Sequence, residues 1–167
     1  MRKVATLRLC CLLGCLWACA VASHMSRAYA QSGTKSDIAV VVNKENPVTN
    51  LSLSDLRKIY FGERQYWRGG LLIQLLIRAP GARERDVVLQ QVFQMSELQY
   101  KQYWVAKLMR TEAKSAPTEV FSSGMLKEGV AAIPGAISFI DIGEVRPPLK
   151  VLRIEGRLPG ENGYPLH

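Results

Sequence analysis

The segment 71–77 (LLIQLLI) constrains the fold more than any other stretch of the chain. Six of its seven residues are apolar, leaving no polar face for a half-exposed strand. It therefore reads as a strand covered on both sides, as in a sheet flanked by helices. The flanking sequence supplies the helices. Ser52 with Asp55 forms a capping box ahead of Leu53, Leu56, Ile59 and Tyr60 at helical spacing, until Gly62 stops the helix. A second helix is expected over about 82–94 with Val88, Leu89, Val92 and Phe93 inward. A third runs from the box of Ser96 and Gln99 to about 110, with Leu98, Tyr103, Trp104 and Leu108 on its apolar side. A fourth spans about 123–132 and ends at Pro134-Gly135. Further strands are expected at 37–42 (DIAVVV), 136–140 and 149–154, and the tail 155–167 should be extended. Strands alternating with helices imply a central, partly parallel sheet covered on both faces, with ligands bound beyond the carboxyl ends of its strands.

Residues 1–30 read as a cleaved signal peptide. Arg2, Lys3 and Arg8 precede an apolar run over 9–22, and Ala28-Tyr29-Ala30 offers a small-x-small site for cleavage after Ala30. The run is shorter than the roughly 20 residues needed to cross a bilayer as a helix. Leu12-Leu13-Gly14-Cys15 has the form of a lipoprotein box but falls too early in the run. The expected product is an exported, periplasmic domain of residues 31–167. All four cysteines (Cys10, Cys11, Cys15, Cys19) leave with the leader, so neither a disulfide nor thiol chemistry is expected. Of the 22 basic residues, Arg2, Lys3, Arg8 and Arg27 also leave, so 18 basic residues face 14 acidic ones. That mild balance suits an anionic ligand and gives no argument for nucleic acid.

The inventory disfavours catalysis. His24 lies in the leader and His167 is the last residue, so the body of the domain has no imidazole for a triad or a zinc site. GxxxxGK[ST] and GxGxxG loops are both absent. The acidic residues mostly alternate with basic ones, as Glu84 does with Arg83 and Arg85, a pattern that reads as a solvated face. No enzyme activity, metal or cofactor is expected.

The candidate site is Arg78-Ala79-Pro80-Gly81-Ala82-Arg83, running from a strand end into a helix start. Free amides in a first helical turn suit an anion, Gly81 allows close backbone approach, and Arg78 and Arg83 each present forked donors. The ligand-binding residues expected from the pattern are Arg78, Gly81, Ala82 and Arg83. Against them stands Glu84, a carboxylate in the same first turn. Tyr103 and Trp104 read as core aromatics; Trp67 reads equally as core or cleft.

An ordered set of segments resembles the phosphate-type periplasmic substrate-binding proteins. It comprises 37–42 with Asn46-Pro47; 51–62 (LSLSDLRKIYFG) with Trp67 and Gly70; Arg78; Tyr103-Trp104; 134–139 (PGAISF); and 151–154 with Gly156, Pro159 and Tyr164-Pro165-Leu166. The resemblance implies an α/β fold, one lobe of a type 2 periplasmic-binding-protein fold, with a central mixed sheet flanked by helices, like the family's short single-lobe members. It also implies a binding or accessory protein for phosphate or a related oxyanion, partnered by an ABC-type transporter or a sensor. The family follows its arginine with Ser-Gly-Thr; here Ala82, Arg83 and Glu84 stand in those places, and Ser138-Phe139 replaces Gly-Tyr. The alternative is an envelope interaction module that keeps the lobe without the ligand. No oligomeric state is assigned.

Overall fold

The computed structural model describes residues 36–167. The leader with its cleavage site, the four cysteines and His24 lie outside the described residues. In chain order the elements are β1 (Ile38–Val42), β2 (Asn50–Leu51), α1 (Leu53–Tyr60), β3 (Gln74–Arg78), α2 (Arg83–Val88), α3 (Glu97–Met109), β4 (Thr118–Val120), α4 (Ser123–Ala132), β5 (Ala136–Asp141), β6 (Lys150–Val151) and β7 (Arg153–Ile154). A π-helical turn, Leu89–Phe93, prolongs α2, and Gln94 at φ 55° ends it. The main sheet has the order β4-β3-β5-β1-β6. Strand β3 runs parallel to β4 and β5, whereas β1 is antiparallel to β5 and β6. β2 and β7 form a separate parallel pair.

The sheet is covered on both faces, because β1 alternates between two apolar layers. Ile38, Val40 and Val42 pack with Leu56, Ile59, Tyr60, Val88 and Phe139 on the side of α1 and α2. Ala39 and Val41 pack with Leu76, Leu126 and Val130 on the side of α4. Ser96 and Gln99 close the expected reciprocal capping box, and Ser52 caps α1 through the Asp55 amide. Asn43 Nδ2 donates to the carbonyls of Val130 and Ala131 at the end of α4.

Four expectations are corrected. The strand read over 71–77 begins only at Gln74, and Leu71 and Leu72 are exposed. Gly69 and Gly70, both at positive φ, turn the chain so that Trp67 N–H donates to Leu71 C=O at 2.8 Å, which engages the start of the run in a hairpin. The strand read over 149–154 divides at Leu152, which enters the core and donates to Val40 C=O while its neighbours join different sheets. On α3 the inward face is Tyr100, Trp104 and Lys107, at i, i+4 and i+7, and Leu98 and Leu108 face solvent. The aromatics decide that rotation: Tyr100 meets Phe93 edge-on at 4.9 Å, and Tyr103 OH donates to Phe61 C=O. The tail is not extended but turns repeatedly, with Glu155, Gly156, Gly160 and Gly163 at positive φ, and is anchored by Tyr164 OH donating to Ile38 C=O and Ile38 N–H donating to Leu166 C=O, both at 2.8 Å.

Candidate functional site

Because β3, β4 and β5 are mutually parallel, their carboxyl ends share one edge of the sheet. Arg78 ends β3 in register with Val120, and Asp141 ends β5 opposite Ile38. The loop 79–82 crosses this edge. Ala79 N–H donates to Val120 C=O at 2.9 Å, and Ala82 N–H reaches back to Ala79 C=O at 3.3 Å. Gly81 has φ 86° and nothing within 4 Å of where a Cβ would sit, so it is required by backbone conformation rather than by crowding. Ser52, Ser96 and Ser122 cap the other helices, but α2 starts at Ala82 with no side-chain cap.

The four charged residues around this loop have different situations. Arg78 is part-buried; its Nε lies out of water without an acceptor, and its guanidinium makes no hydrogen bond or ion pair among the described residues. Arg83 is engaged. Its Nη1 donates to Asp141 Oδ2 at 3.0 Å and to Ser36 Oγ at 3.3 Å, and its Nη2 donates to the Ser36 carbonyl. It therefore ties the start of β1 to the end of β5, and Asp141 neutralises its charge. Glu84 is only 8% exposed and makes no hydrogen bond or ion pair among the described residues. It shares its helix face with the buried Val87 and Val88, at i+3 and i+4, which directs it inward at the top of that layer.

Arg85 lies in the interior. Its Nε and Nη2 grip Glu97 at 2.8 Å each, and Nη2 also lies 3.1 Å from Glu119. Its Nη1 donates to the Arg78 carbonyl at 2.8 Å, and its guanidinium stacks 4.9 Å from the Tyr100 ring centre. Burial opposes the charge of Arg85, yet the hydrogen bond and charge of Glu97 hold its pKa above the ordinary value. The same hydrogen bond holds the Glu97 carboxyl below the usual carboxylate range, against a smaller opposing effect of burial. The alternating charges at 83–85 are thus not a solvated face, because each side chain leaves the helix in a different direction and only Asp86 of this turn is exposed.

The Arg85–Glu97–Glu119–Tyr100 network was not legible in the sequence. Its one visible trace is Glu97 in the first turn of α3. Ser36 and Asp141 were also missed, as was Phe121, 73% exposed directly after β4. Trp67 belongs to the core, its Nε1 donating to Gly135 C=O at 3.0 Å. Ser138, where the resembled family has glycine, is fully buried and donates to Leu76 C=O. Three clefts among the described residues, of about 60, 380 and 640 Å³, are lined by other segments and include neither Arg78 nor Glu84.

No family model matches the chain. Among solved structures it is similar to an ABC-type phosphate transport receptor from Vibrio cholerae, with TM-score 0.60 and 25% identity over 74% of this chain and 48% of that one. It is also similar to PstS from Borrelia burgdorferi, with TM-score 0.60 and 17% identity over 78% and 54%. A third is a phosphate-binding protein from Stenotrophomonas maltophilia, with TM-score 0.55 and 15% identity over 74% and 40%. The chain spans about half the length of these structures. Its fold is one lobe of the type 2 periplasmic-binding-protein fold, shared with these structures.

Proposed function

We propose that this chain is an exported binding protein for phosphate or a related oxyanion, presenting it to an ABC-type uptake system or a sensor. The observation that carries the reading is Arg78: a guanidinium at the carboxyl edge of a parallel sheet, with a buried Nε that no protein atom accepts from. A desolvated donor without a partner is costly, and an oxyanion supplies the missing acceptor. Gly81 and Ala82 let the anion approach the loop backbone, and the amides of Arg83 and Glu84 have no intrahelical acceptor. Arg83 contributes by fixing the edge through Asp141 and Ser36. Export follows from the leader, with cleavage after Ala30, and no helix among the described residues is long and apolar enough to cross a membrane.

The test is a calorimetric titration of the mature chain with inorganic phosphate. This lobe by itself leaves the anion open to water, so the expected affinity is near millimolar, about −4 kcal/mol. It should weaken with added salt, which screens exposed charges beyond about 10 Å. Arg78→Ala removes the binding, and Glu84→Thr strengthens it by deleting a like charge. Absence of binding in both the native chain and Glu84→Thr defeats this reading. The second reading, an envelope interaction module without a ligand, is favoured by the buried Glu84 carboxylate and the exposed Phe121, and would then stand.

A further inference from the structure

Two adjoining clefts lie at the end of the sheet opposite Arg78. Arg78 ends β3, whereas Gln74 begins it in register with Ala136, and the connection from α1 leads into this amino end. The first cleft, of about 60 Å³, is bounded by that connection and by the 113–116 loop. Ile59, Leu72, Ile73, Leu75 and the indole of Trp104 give it an apolar lining. Tyr66 and Leu72 are bridge partners, so their side chains share one face of the hairpin, 47% and 44% exposed. The second cleft, of about 380 Å³, has Pro47, Val48 and Thr49 in one wall and Arg64 and Arg68 in another. Arg64 lines both clefts, so an extended occupant passing over it reaches each of them.

The charge here is one-sided. Arg64, Arg68 and Lys114 line the clefts against a single acid, Asp55. Asp55 already accepts from Ser52 Oγ at 3.0 Å and lies 3.9 Å from Arg64. Arg68 and Lys114 make no hydrogen bond or ion pair among the described residues, and the one hydrogen bond of the Arg64 side chain is a 3.4 Å donation to Tyr66 C=O. The backbone beneath the arginines is fixed. Arg64 N–H donates to Lys58 C=O at 3.0 Å, and Gly70 N–H closes a turn onto Trp67 C=O at 3.2 Å, with Gly69 at φ 96°.

We propose that the paired clefts dock an acidic peptide segment of a partner protein, anchored by one apolar side chain. A leucine-sized side chain enters the smaller cleft, and neighbouring carboxylates reach Arg64 and Arg68. An apolar anchor seated in a pocket supplies the affinity, and the charges around it set specificity. The smaller cleft is too short for an acyl chain. A second copy docked through the same face would set these cations against one another. Because the surface lies away from Arg78, the inference stands independently of the oxyanion reading.

The experiment titrates the mature protein with three capped peptides, acetyl-Glu-Leu-Glu-Glu-amide and its Gln-Leu-Gln-Gln and Glu-Ala-Glu-Glu counterparts, read by tryptophan fluorescence and amide NMR shifts. The first should saturate and shift amides of residues 47–51, 62–68 and 113–116. At low salt the glutamine peptide should bind about five-fold more weakly, the upper range for an exposed ion pair, and the alanine peptide about ten-fold more weakly. Arg64→Gln with Arg68→Gln, shown by circular dichroism to be folded, should abolish the preference for the acidic peptide. Equal binding of all three, no binding at a few millimolar, or shifts confined to another surface overturns the proposal. Octanoate binding more tightly than the acidic peptide would overturn it in favour of a small amphiphile. Cosedimentation with phosphatidylglycerol vesicles would do so in favour of a membrane, and a dimer in sedimentation equilibrium that the double variant dissociates in favour of a second copy.

Discussion

Replacing Arg85 by alanine removes a cation that is fully out of solvent and that four hydrogen bonds or ion contacts hold in place. Removing one partner of a buried pair costs about 3–5 kcal/mol, because the remaining charge stays buried. Here Glu97 and Glu119 are 35% and 42% exposed, so water recovers much of their solvation and the lower end applies. About 3 kcal/mol is expected, or roughly 10 °C in melting temperature for a domain of this size. Arg85→Met keeps most of the volume beside Tyr100 and should lose about half as much. The pH dependence has a definite sign. Glu97 titrates below its ordinary range in the folded protein, so its contribution is present above the unfolded carboxylate pKa and fades as pH falls through the folded value. The gap between native and Arg85→Ala should therefore narrow in acid, modestly, since Glu97 is partly hydrated. Urea and thermal denaturation of the mature chain at neutral and acid pH measure both quantities. A loss under about 1 kcal/mol at neutral pH would mean that the network behaves as a surface pair and would refute the reasoning. Because Arg85 also holds the Arg78 carbonyl, phosphate affinity should fall in the folded Arg85→Met protein.

Gly135→Ala should destabilise severely, by 3 kcal/mol or more on the order of strong overpacking, because a Cβ there would lie 1.9 Å from the Leu72 carbonyl oxygen. Thermal denaturation tests this, and a loss under about 1 kcal/mol would show that the hairpin yields. In alkali, burial holds the phenols of Tyr60, Tyr100 and Tyr164 well above the ordinary tyrosine value. The stability they carry is full below the unfolded pKa of about 10 and falls as pH rises toward the folded values. Phenolate absorbance should accordingly rise in two stages, the second coinciding with loss of far-ultraviolet circular dichroism; a single stage before unfolding would contradict it.

The parts of the fold that follow from local chemistry were legible in the sequence. Serine caps placed α1 and α3 close to their observed starts, Pro134-Gly135 placed the end of α4, and β-branched composition placed β1. What escaped was set by tertiary contacts. The short strands β2 and β4 carry too few residues for a period to show, and the face of α3 was decided by aromatic packing against Phe93 and Phe61. At the site, the sequence singled out the loop and Arg78 as candidates. It could not say which of three neighbouring arginines was free, since Asp141, Glu97 and Glu119 are 58, 12 and 34 residues away from the arginines they meet. Charge alternation along a helix gives sign but not direction, and Arg85 was misread for that reason.

The central claim is that an oxyanion is held at the carboxyl edge of β3 by Arg78. The most direct measurement is a backbone amide NMR titration of the isotopically labelled mature chain with inorganic phosphate at constant ionic strength. The account predicts saturable shifts concentrated at Ala79, Gly81, Ala82, Arg83 and Glu84, lost in Arg78→Ala. Shifts confined to another surface, or an unchanged pattern in Arg78→Ala, would contradict it.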